Sequence, residues 1–213
     1  MLQVKQCAIA TPASTLFTHL DFEVKPGEIL TLMGPSGCGK SSLLHWLAGC
    51  LPDGLTATGE IWLNQRRCDT LPTEARRIGL IFQDDLLFPH FSVGQNLALA
   101  IPAGVTRGER KAQALAALGC AELGGFYHCD PATLSGGQRA RVSVLRALLA
   151  QPDALLLDEP FSRLDPGLRA AFRAFVWQQV AARPVPVVLV THDPMDCPDT
   201  RRLIQLSALF NSD

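Results

Sequence analysis

The sequence has no long hydrophobic run and no excess of charge of either sign. Its apolar runs, such as 154–157 and 185–190, have the length of strands and fall far short of the roughly 20 residues needed to cross a bilayer. The 19 basic and 20 acidic residues nearly cancel, and the basic residues form no cluster. Neither a membrane-spanning chain nor a nucleic-acid-binding one is therefore expected.

Disulfide and zinc-ribbon patterns are also missing. The seven cysteines are an odd number and include no C-x-x-C pair, so buried free thiols in a reducing compartment are expected. The stretch MLQVKQCAIA shows no charged leader followed by an apolar block, so no secretory signal is expected either. With 213 residues, 47% of them hydrophobic, the chain is long enough for one well-packed domain.

A strand, a glycine-rich loop and a helix follow one another early in the chain. Residues 28–33 (EILTLM) are apolar and come after a Pro-Gly turn, which predicts a buried strand. The loop is GPSGCGKS, residues 34–41, and KSSLLHWLAG predicts a helix that ends at Gly49. This order is the context that a phosphate-binding loop requires.

The loop residues fit the chemistry of bound phosphate. Gly34 and Gly39 let the backbone approach anionic oxygens that a Cβ would keep away. Lys40 supplies positive charge to the β- and γ-phosphates of a nucleotide, and the Ser41 hydroxyl can ligate Mg²⁺. Cys38 is interpreted as a small loop residue whose oxidation would inhibit the protein, because its thiol lies beside the bound phosphate.

LLLDEP, residues 155–160, predicts a strand that ends in two carboxylates. In open α/β sheets, ligands bind at the carboxyl ends of the strands. Asp158 is therefore expected to hold Mg²⁺ through water, and Glu159 to polarise an attacking water.

Strands and helices alternate along the rest of the chain. Further strands are predicted at 59–63, 78–82, 186–190 and, as an edge, 201–206, with helices near 109–118, 142–149 and 168–182. This alternation predicts an α/β fold whose mostly parallel sheet is flanked by helices.

A second candidate phosphate cradle is LSGGQ, residues 134–138. Its Ser-Gly-Gly turn opens a helix, so bare amides and the positive end of the helix dipole point at the same place. Two cradles in one small chain call for an explanation.

The order of these motifs resembles that of the ATP-binding subunit of a bacterial ABC transporter, of the importer type. The phosphate loop is followed by Gln83 after IGLIF, then by LSGGQ, LLLDEP, SRLD at 162–165 and TH ending at His192. The resemblance implies a RecA-like P-loop NTPase fold with a small antiparallel β portion and an inserted helical subdomain.

The resemblance covers nearly the whole chain and implies a single ATPase domain, 1–213. Its catalytic core would comprise 1–83 and about 148–213, and its helical subdomain about 84–147, including the signature motif LSGGQ.

Site residues are implied in the same way. Gln83 would sense Mg²⁺ and the attacking water, His192 would hold the γ-phosphate, and Glu159 would complete the catalytic set. Mg²⁺ would be held by Ser41, Gln83 and Asp158. The implied ATP-binding residues are Gly34, Pro35, Ser36, Gly37, Cys38, Gly39, Lys40, Ser41, Ser42, Ser135, Gly136, Gly137, Gln138 and Asp165.

In this family two subunits pack head to tail, which accounts for the second cradle. Ser135, Gly136 and Gly137 of one copy would close over the ATP held by Lys40 of the other. The implied partners are a second copy or a similar ATPase, integral membrane permease subunits and a solute-binding protein, with no nucleic acid. The implied location is peripheral, at the cytoplasmic face of the inner membrane.

The stretch FQDDLLFPHFSVGQNL, residues 82–97, resembles the importer branch, in which it lines the groove for a helix of the membrane subunit. Leu86, Leu87, Phe88 and Phe91 are candidates for that contact, and the core of the helical subdomain is the alternative place for them.

Two features depart from the family pattern. Where an aromatic residue usually stacks on adenine, the sequence reads AIATPAS with Thr11 near the expected point, and Phe17 is the nearest aromatic candidate. Arg163 stands in SRLD where a small residue is common, and it is either a surface residue or one that reaches across the dimer.

Two other functions compete with transport. A soluble ABC ATPase acting in DNA or translation processes is disfavoured by the short stretch between Gln83 and Ser135, which has no room for a long coiled coil. A non-catalytic regulatory role is disfavoured because Lys40, Glu159 and His192 are all present.

Overall fold

The computed structural model describes residues 1–206, so the end of the predicted catalytic core, 207–213, lies outside the described residues. The chain forms two compact units. Of the described residues, the core unit comprises Met1–Leu80, Asp153–Glu159 and 180–206, and the helical unit comprises Ile81–Pro152 and Pro160–Gln179.

The strands of the described chain are, in order, β1 (Leu2–Ala10), β2 (Thr15–Val24), β3 (Ile29–Met33), β4 (Thr56–Leu63), β5 (Arg66–Arg67), β6 (Ile78–Ile81), β7 (Ala154–Asp158), β8 (Val187–Val190) and β9 (Leu203–Gln205). The helices are α1 (Lys40–Ala48), α2 (Thr73–Arg76), α3 (Val93–Ala100), α4 (Arg107–Cys120), α5 (Gly136–Leu149) and α6 (Pro166–Ala181).

The strands form two sheets. One has five strands in the order β6-β7-β8-β3-β9, and β3 runs parallel to both β8 and β9, as β7 does to β8. All residues of β7 and β8 are buried, as expected for parallel strands covered on both faces. The predicted strands of this sheet are confirmed, including β9 at its edge.

The second sheet is antiparallel, with the order β2-β1-β4-β5. The sequence analysis does not predict its long strands β1 and β2. The pairing between them shifts register three times, so buried residues do not alternate regularly with exposed ones along either strand. Gln6 and His19, with φ of 50° and 54°, lie in these strands and break the apolar alternation. The continuous apolar core of the core unit includes residues of both sheets and of α1.

Helix α1 ends at a position that accommodates glycine but no larger residue without strain. Gly49 has φ 85°, and a Cβ there would lie 2.6 Å from Nε of Arg76. The buried Arg76 guanidinium donates to the carbonyl oxygens of Trp46 at 2.6 Å and Leu47 at 3.1 Å. The carbonyl end of the helix is thus closed by a cation, which favours a helix that begins at the phosphate loop.

Three helices of the helical unit begin with the same capping box. Ser92 caps α3, Thr106 caps α4 and Ser135 caps α5, each with a Gln or Glu three residues later whose side chain returns to the cap. Helix α3 has no clear sequence pattern, because its short run includes Gly94 and the fully buried Asn96. No helix among residues 1–206 is long and apolar enough to cross a membrane.

Candidate active site

The loop GPSGCGKS connects β3 to α1, as the sequence predicts. Lys40 is the first residue of α1 and is only 6% exposed. Its Nζ donates to the carbonyl oxygens of Gly34 at 2.8 Å and Pro35 at 2.9 Å. The loop therefore wraps around the ammonium group, which places a fixed positive charge at the N-terminus of α1.

Gly39 closes the loop under two constraints. Its φ is 93°, and a Cβ there would lie 2.9 Å from Cε1 of Phe17. Gly37 also has a positive φ, 82°, but a Cβ there would meet nothing within 4 Å. Phe17 is 2% exposed and supports the loop from beneath, so its ring offers no face to an adenine base.

The remaining loop residues differ in exposure. Pro35 and Ser36 are exposed, Ser42 is half-buried, and Cys38 is 4% exposed with its Sγ 4.0 Å from Nζ of Lys40. The chain's seven cysteines are free thiols, but only Cys7, Cys38 and Cys68 are buried, so the prediction that the free thiols are buried is wrong for the other four.

Ser41 and Asp158 meet although 117 positions separate them in the sequence. The Ser41 hydroxyl donates to Oδ1 of Asp158 at 3.0 Å, and Asp158 is 8% exposed at the end of β7. Burial, with the nearby charge of Glu159, raises the pKa of the Asp158 carboxyl. Residues 1–206 contain no group of three or more His, Cys, Asp or Glu side chains that could hold a metal ion.

A hydroxyl beside a carboxylate nevertheless fits Mg²⁺. This ion commonly keeps several waters and takes one or two protein ligands together with substrate phosphates. The positive charge of such an ion would also offset the cost of a buried Asp158 carboxylate.

Glu159 and His192 form the second pair at this sheet edge. Oε2 of Glu159 lies 3.2 Å from Nδ1 of His192, and the two side chains are 24% and 59% exposed. The Glu159 amide donates to the carbonyl oxygen of Val190 at 2.9 Å, which ties the end of β7 to β8. Glu159 has φ 45°, a left-handed conformation that costs about 1–3 kcal/mol in a residue other than glycine and is typical of functional sites.

The turn before His192 is fixed by a residue that sequence reasoning missed. The buried Thr191 hydroxyl donates to Oδ2 of Asp196 at 2.9 Å and accepts from the Asp193 amide at 3.1 Å. A Thr followed five residues later by Asp has no distinctive pattern, so nothing in the sequence marks Asp196 as the support of this turn.

Gln83 belongs to the helical unit. Its Nε2 donates to Oγ of Ser162 at 3.1 Å, and the next residue, Asp84, pairs through its carboxylate with the Arg163 guanidinium. Arg163 therefore has a partner within its own chain, and the sequence does not reveal this pair.

The signature turn opens α5 through a capping box. The Ser135 amide donates to Oε1 of Gln138 at 2.9 Å, and the Gln138 amide donates to Oγ of Ser135 at 3.3 Å. Gly136 and Gly137 are the first two residues of α5, where backbone amides have no partner within the helix. Their position suits an anion.

Asp165 serves as a helix cap rather than as an isolated acid. Its Oδ1 accepts from the Leu168 amide at 3.1 Å, at the start of α6. The core unit thus brings together Lys40, Ser41, Asp158, Glu159 and His192, and the helical unit carries Gln83, the signature turn and Asp165.

Comparison with known proteins identifies the family in which these motifs occur. Residues 17–162 match the family model described as ABC transporter. The chain belongs to the ABC transporter family. This membership confirms the predicted P-loop NTPase fold class and the assignment as an ATP-binding, ATP-hydrolysing subunit that energises transport.

Individual ABC proteins are similar over most of the chain. It is 55% identical over 207 residues to the ABC transporter ATP-binding protein YnjD of Escherichia coli K12, covering 97% of the chain and 95% of YnjD. It is 42% identical over 174 residues to the sulfate/thiosulfate import ATP-binding protein CysA of Gloeobacter violaceus, covering 81% of the chain but only 49% of CysA.

A solved ABC structure is also similar. The ATP-binding cassette MJ0796, a dimer in a post-hydrolysis state bound to ADP and Pi, has a TM-score of 0.78 and 29% identity, with 96% of this chain and 94% of that one covered.

Proposed function

We propose that this ABC subunit hydrolyses Mg-ATP to drive import of a small solute through separate membrane subunits. The observation that carries the proposal is the sheet edge of the core unit, where the phosphate loop, the Ser41–Asp158 pair and the Glu159–His192 pair occur together. Cation, metal ligand and base are the three groups that phosphoryl transfer requires.

In this proposal the phosphate loop, residues 34–41, binds the nucleotide phosphates through its amides and Lys40, together with Ser42. Ser41, Asp158 and Gln83 are the residues that would hold Mg²⁺, and the ion would supply positive charge against the phosphates. Asp158 is buried, so its carboxylate would attract a cation more strongly than a fully hydrated carboxylate would.

Glu159 is proposed as the group that orients and deprotonates the attacking water. The left-handed backbone of Glu159 and its contact with His192 hold the carboxylate in one direction. His192 would contact the γ-phosphate through its other ring nitrogen, because Nδ1 faces Glu159.

A second copy is proposed to complete the site. Ser135, Gly136, Gly137 and Gln138 would close over the ATP bound by the other copy, and Asp165 would lie at the contact between the copies. The dimeric state described for MJ0796 supports this arrangement. ATP would then be part of the interface, and hydrolysis would release it.

Import and membrane partners are inferred from the relatives and from one exposed segment. CysA is an import ATP-binding protein by its name. Leu86, Phe88 and Phe91 are 54%, 47% and 39% exposed, and Leu87 is half-buried. We infer that these side chains receive a helix of the permease, which would place the subunit at the cytoplasmic face of the inner membrane, with a solute-binding protein on the other side.

The exposed segment is rigid enough to act as a docking surface. The fully buried Asn96 accepts from the Phe88 amide at 2.8 Å and donates to the carbonyl oxygens of Phe88 and Phe91 at 3.1 Å. The Arg146 guanidinium lies 5.4 Å from the Phe88 ring centroid. A preformed surface loses little entropy when a partner helix binds.

Two measurements on the full chain test the proposal. Wild-type protein is expected to hydrolyse ATP only with Mg²⁺, and Lys40→Ala to lose both ATP binding and turnover. Copurification from detergent should recover integral membrane subunits, and the double variant Phe88→Glu, Phe91→Glu should lose them while its ATPase activity persists.

Leu115→Glu is the matched control for the docking variant, because Leu115 is also an exposed apolar residue, on α4. Copurification of the membrane subunits with the Phe88, Phe91 variant would contradict the docking role. Turnover by Lys40→Ala would contradict the proposed ATPase site.

A further inference from the structure

Two parallel side-chain contacts join the segment after β6 to the SRLD turn. Gln83 Nε2 donates to Oγ of Ser162 at 3.1 Å, and the carboxylate of Asp84 pairs with the guanidinium of Arg163. Consecutive residues of one segment thus meet consecutive residues of the other, in the same order. Such a pair of links fixes the direction of the segments as well as their distance.

The same segment is also fixed on its other side. Oδ2 of Asp85 accepts from Nε of Arg139, in α5, at 3.3 Å. Arg146, also in α5, donates through Nη1 to the carbonyl oxygen of Leu86 at 2.8 Å. The residues after Gln83 are therefore tied to the signature helix, and the Asp84–Arg163 pair connects them onward to SRLD.

The ion pair is too exposed to matter much for stability. The side chains of Arg163 and Asp84 are 58% and 57% exposed, and exposed ion pairs contribute little to the free energy of folding. The pair instead restrains the backbone next to Gln83. This restraint matters because the hydrogen bond of Gln83 itself joins two neutral side chains, and such a bond is weaker than one between charged groups.

We propose that the Asp84–Arg163 ion pair positions Gln83 and that Arg163 is a positioning residue for ATP hydrolysis. The inference rests on the proposed function, in which Gln83 acts on Mg²⁺ and the attacking water. Without the pair, the Gln83 segment keeps its ties to α5 but loses its charged tie to SRLD. Gln83 then spends less time in its productive place, which lowers turnover without weakening ATP binding.

The single variants Arg163→Asp and Asp84→Arg each place like charges where the pair stood. Both are expected to lower kcat at least about tenfold and to raise the Mg²⁺ concentration needed for half-maximal rate. The Kd for ATP, measured with a fluorescent ATP analogue, and the melting temperature should stay at wild-type values. A merely structural role would move the melting temperature instead.

The exchange of the two charges provides the decisive test. Asp84→Arg combined with Arg163→Asp restores an ion pair in reverse, so kcat should return to within about threefold of wild type. If the two losses multiply instead, Arg163 acts elsewhere, for example on the second copy, and the proposal is overturned. It is equally overturned if Arg163→Asp keeps wild-type kcat.

Two controls separate this proposal from the function on which it rests. Arg201→Asp breaks an ion pair of the same type, with Asp199 at 3.0 Å, and should leave kcat unchanged. Gln83→Ala should lower kcat at least as much as Arg163→Asp. A fully active Gln83→Ala would remove the proposed role of Gln83, whereas an impaired Gln83→Ala beside an active Arg163→Asp would remove only the positioning role of Arg163.

Discussion

Nδ1 of His192 lies 3.2 Å from Oε2 of Glu159, just beyond the ends of two neighbouring parallel strands. Each residue restricts the rotation of the other, so neither relies on bound nucleotide to find its direction. The proposed base is thus preorganised, and its removal should affect the chemical step more than binding.

Glu159→Gln keeps the size of the side chain but removes its basicity. We expect kcat to fall at least about a hundredfold, while ATP binding persists and dimers accumulate with ATP. Steady-state ATPase assays and light scattering measure both effects. Glu74→Gln, at an exposed residue of α2, is the control; undiminished turnover in Glu159→Gln would remove Glu159 as the base.

Ser135→Arg should abolish cooperative ATP hydrolysis, because an Arg side chain blocks the turn that would close over the ATP of the other copy. Ser92→Arg is a matched control, since Ser92 also caps a helix through a capping box and both variants lose about 1 kcal/mol of cap stabilisation. Equal melting temperatures but unequal ATPase rates are expected. If both variants retain activity, the proposal that two copies share each ATP site is contradicted.

Gly39→Ala should destabilise the protein by at least about 2 kcal/mol, because it adds left-handed strain and a clash with Phe17. Gly37→Ala adds strain alone and should cost about 1 kcal/mol. Urea denaturation compares the two. Phe17→Leu is expected to recover part of the loss in Gly39→Ala and none in Gly37→Ala; equal losses would contradict the clash.

Cysteine labelling should be selective. Burial, with the charge of Asp21, raises the pKa of the Cys7 thiol to about 12, so at pH 8 only about one thiol in ten thousand is ionised. Cys120 is exposed. Iodoacetamide followed by mass spectrometry should modify Cys120 and leave Cys7 intact until the protein is denatured. Labelling of native Cys7 at the rate of Cys120 would contradict its burial.

Local patterns predict the parts of the site that depend on neighbouring residues. The phosphate loop and the strand before Asp158 can be identified because glycine conformation and strand burial act over a few positions. The link between Ser41 and Asp158 follows from strand topology, since the carboxyl ends of parallel strands meet at one edge.

Contacts that depend on side-chain direction cannot be predicted in this way. Arg163 and Asp84 lie 79 positions apart, and no local pattern reports that their charges meet. In the sequence Phe17 is a candidate for stacking on adenine. In the structure it lies beneath Gly39, a position that depends on the irregular pairing of β1 with β2 and is not visible in the local sequence. Both contacts depend on the course of the whole chain.

The capping box of α5 determines the polarity of the signature turn. The amides of Ser135 and Gln138 occupy acceptor atoms of each other's side chains. The Ser135 hydroxyl hydrogen, the side-chain amide hydrogens of Gln138 and the backbone amides of Gly136 and Gly137 are all hydrogen-bond donors. Because the acceptor atoms of the turn are already used within the capping box, the turn presents mainly hydrogen-bond donors to a ligand. It therefore favours anionic groups even in a single copy of the chain.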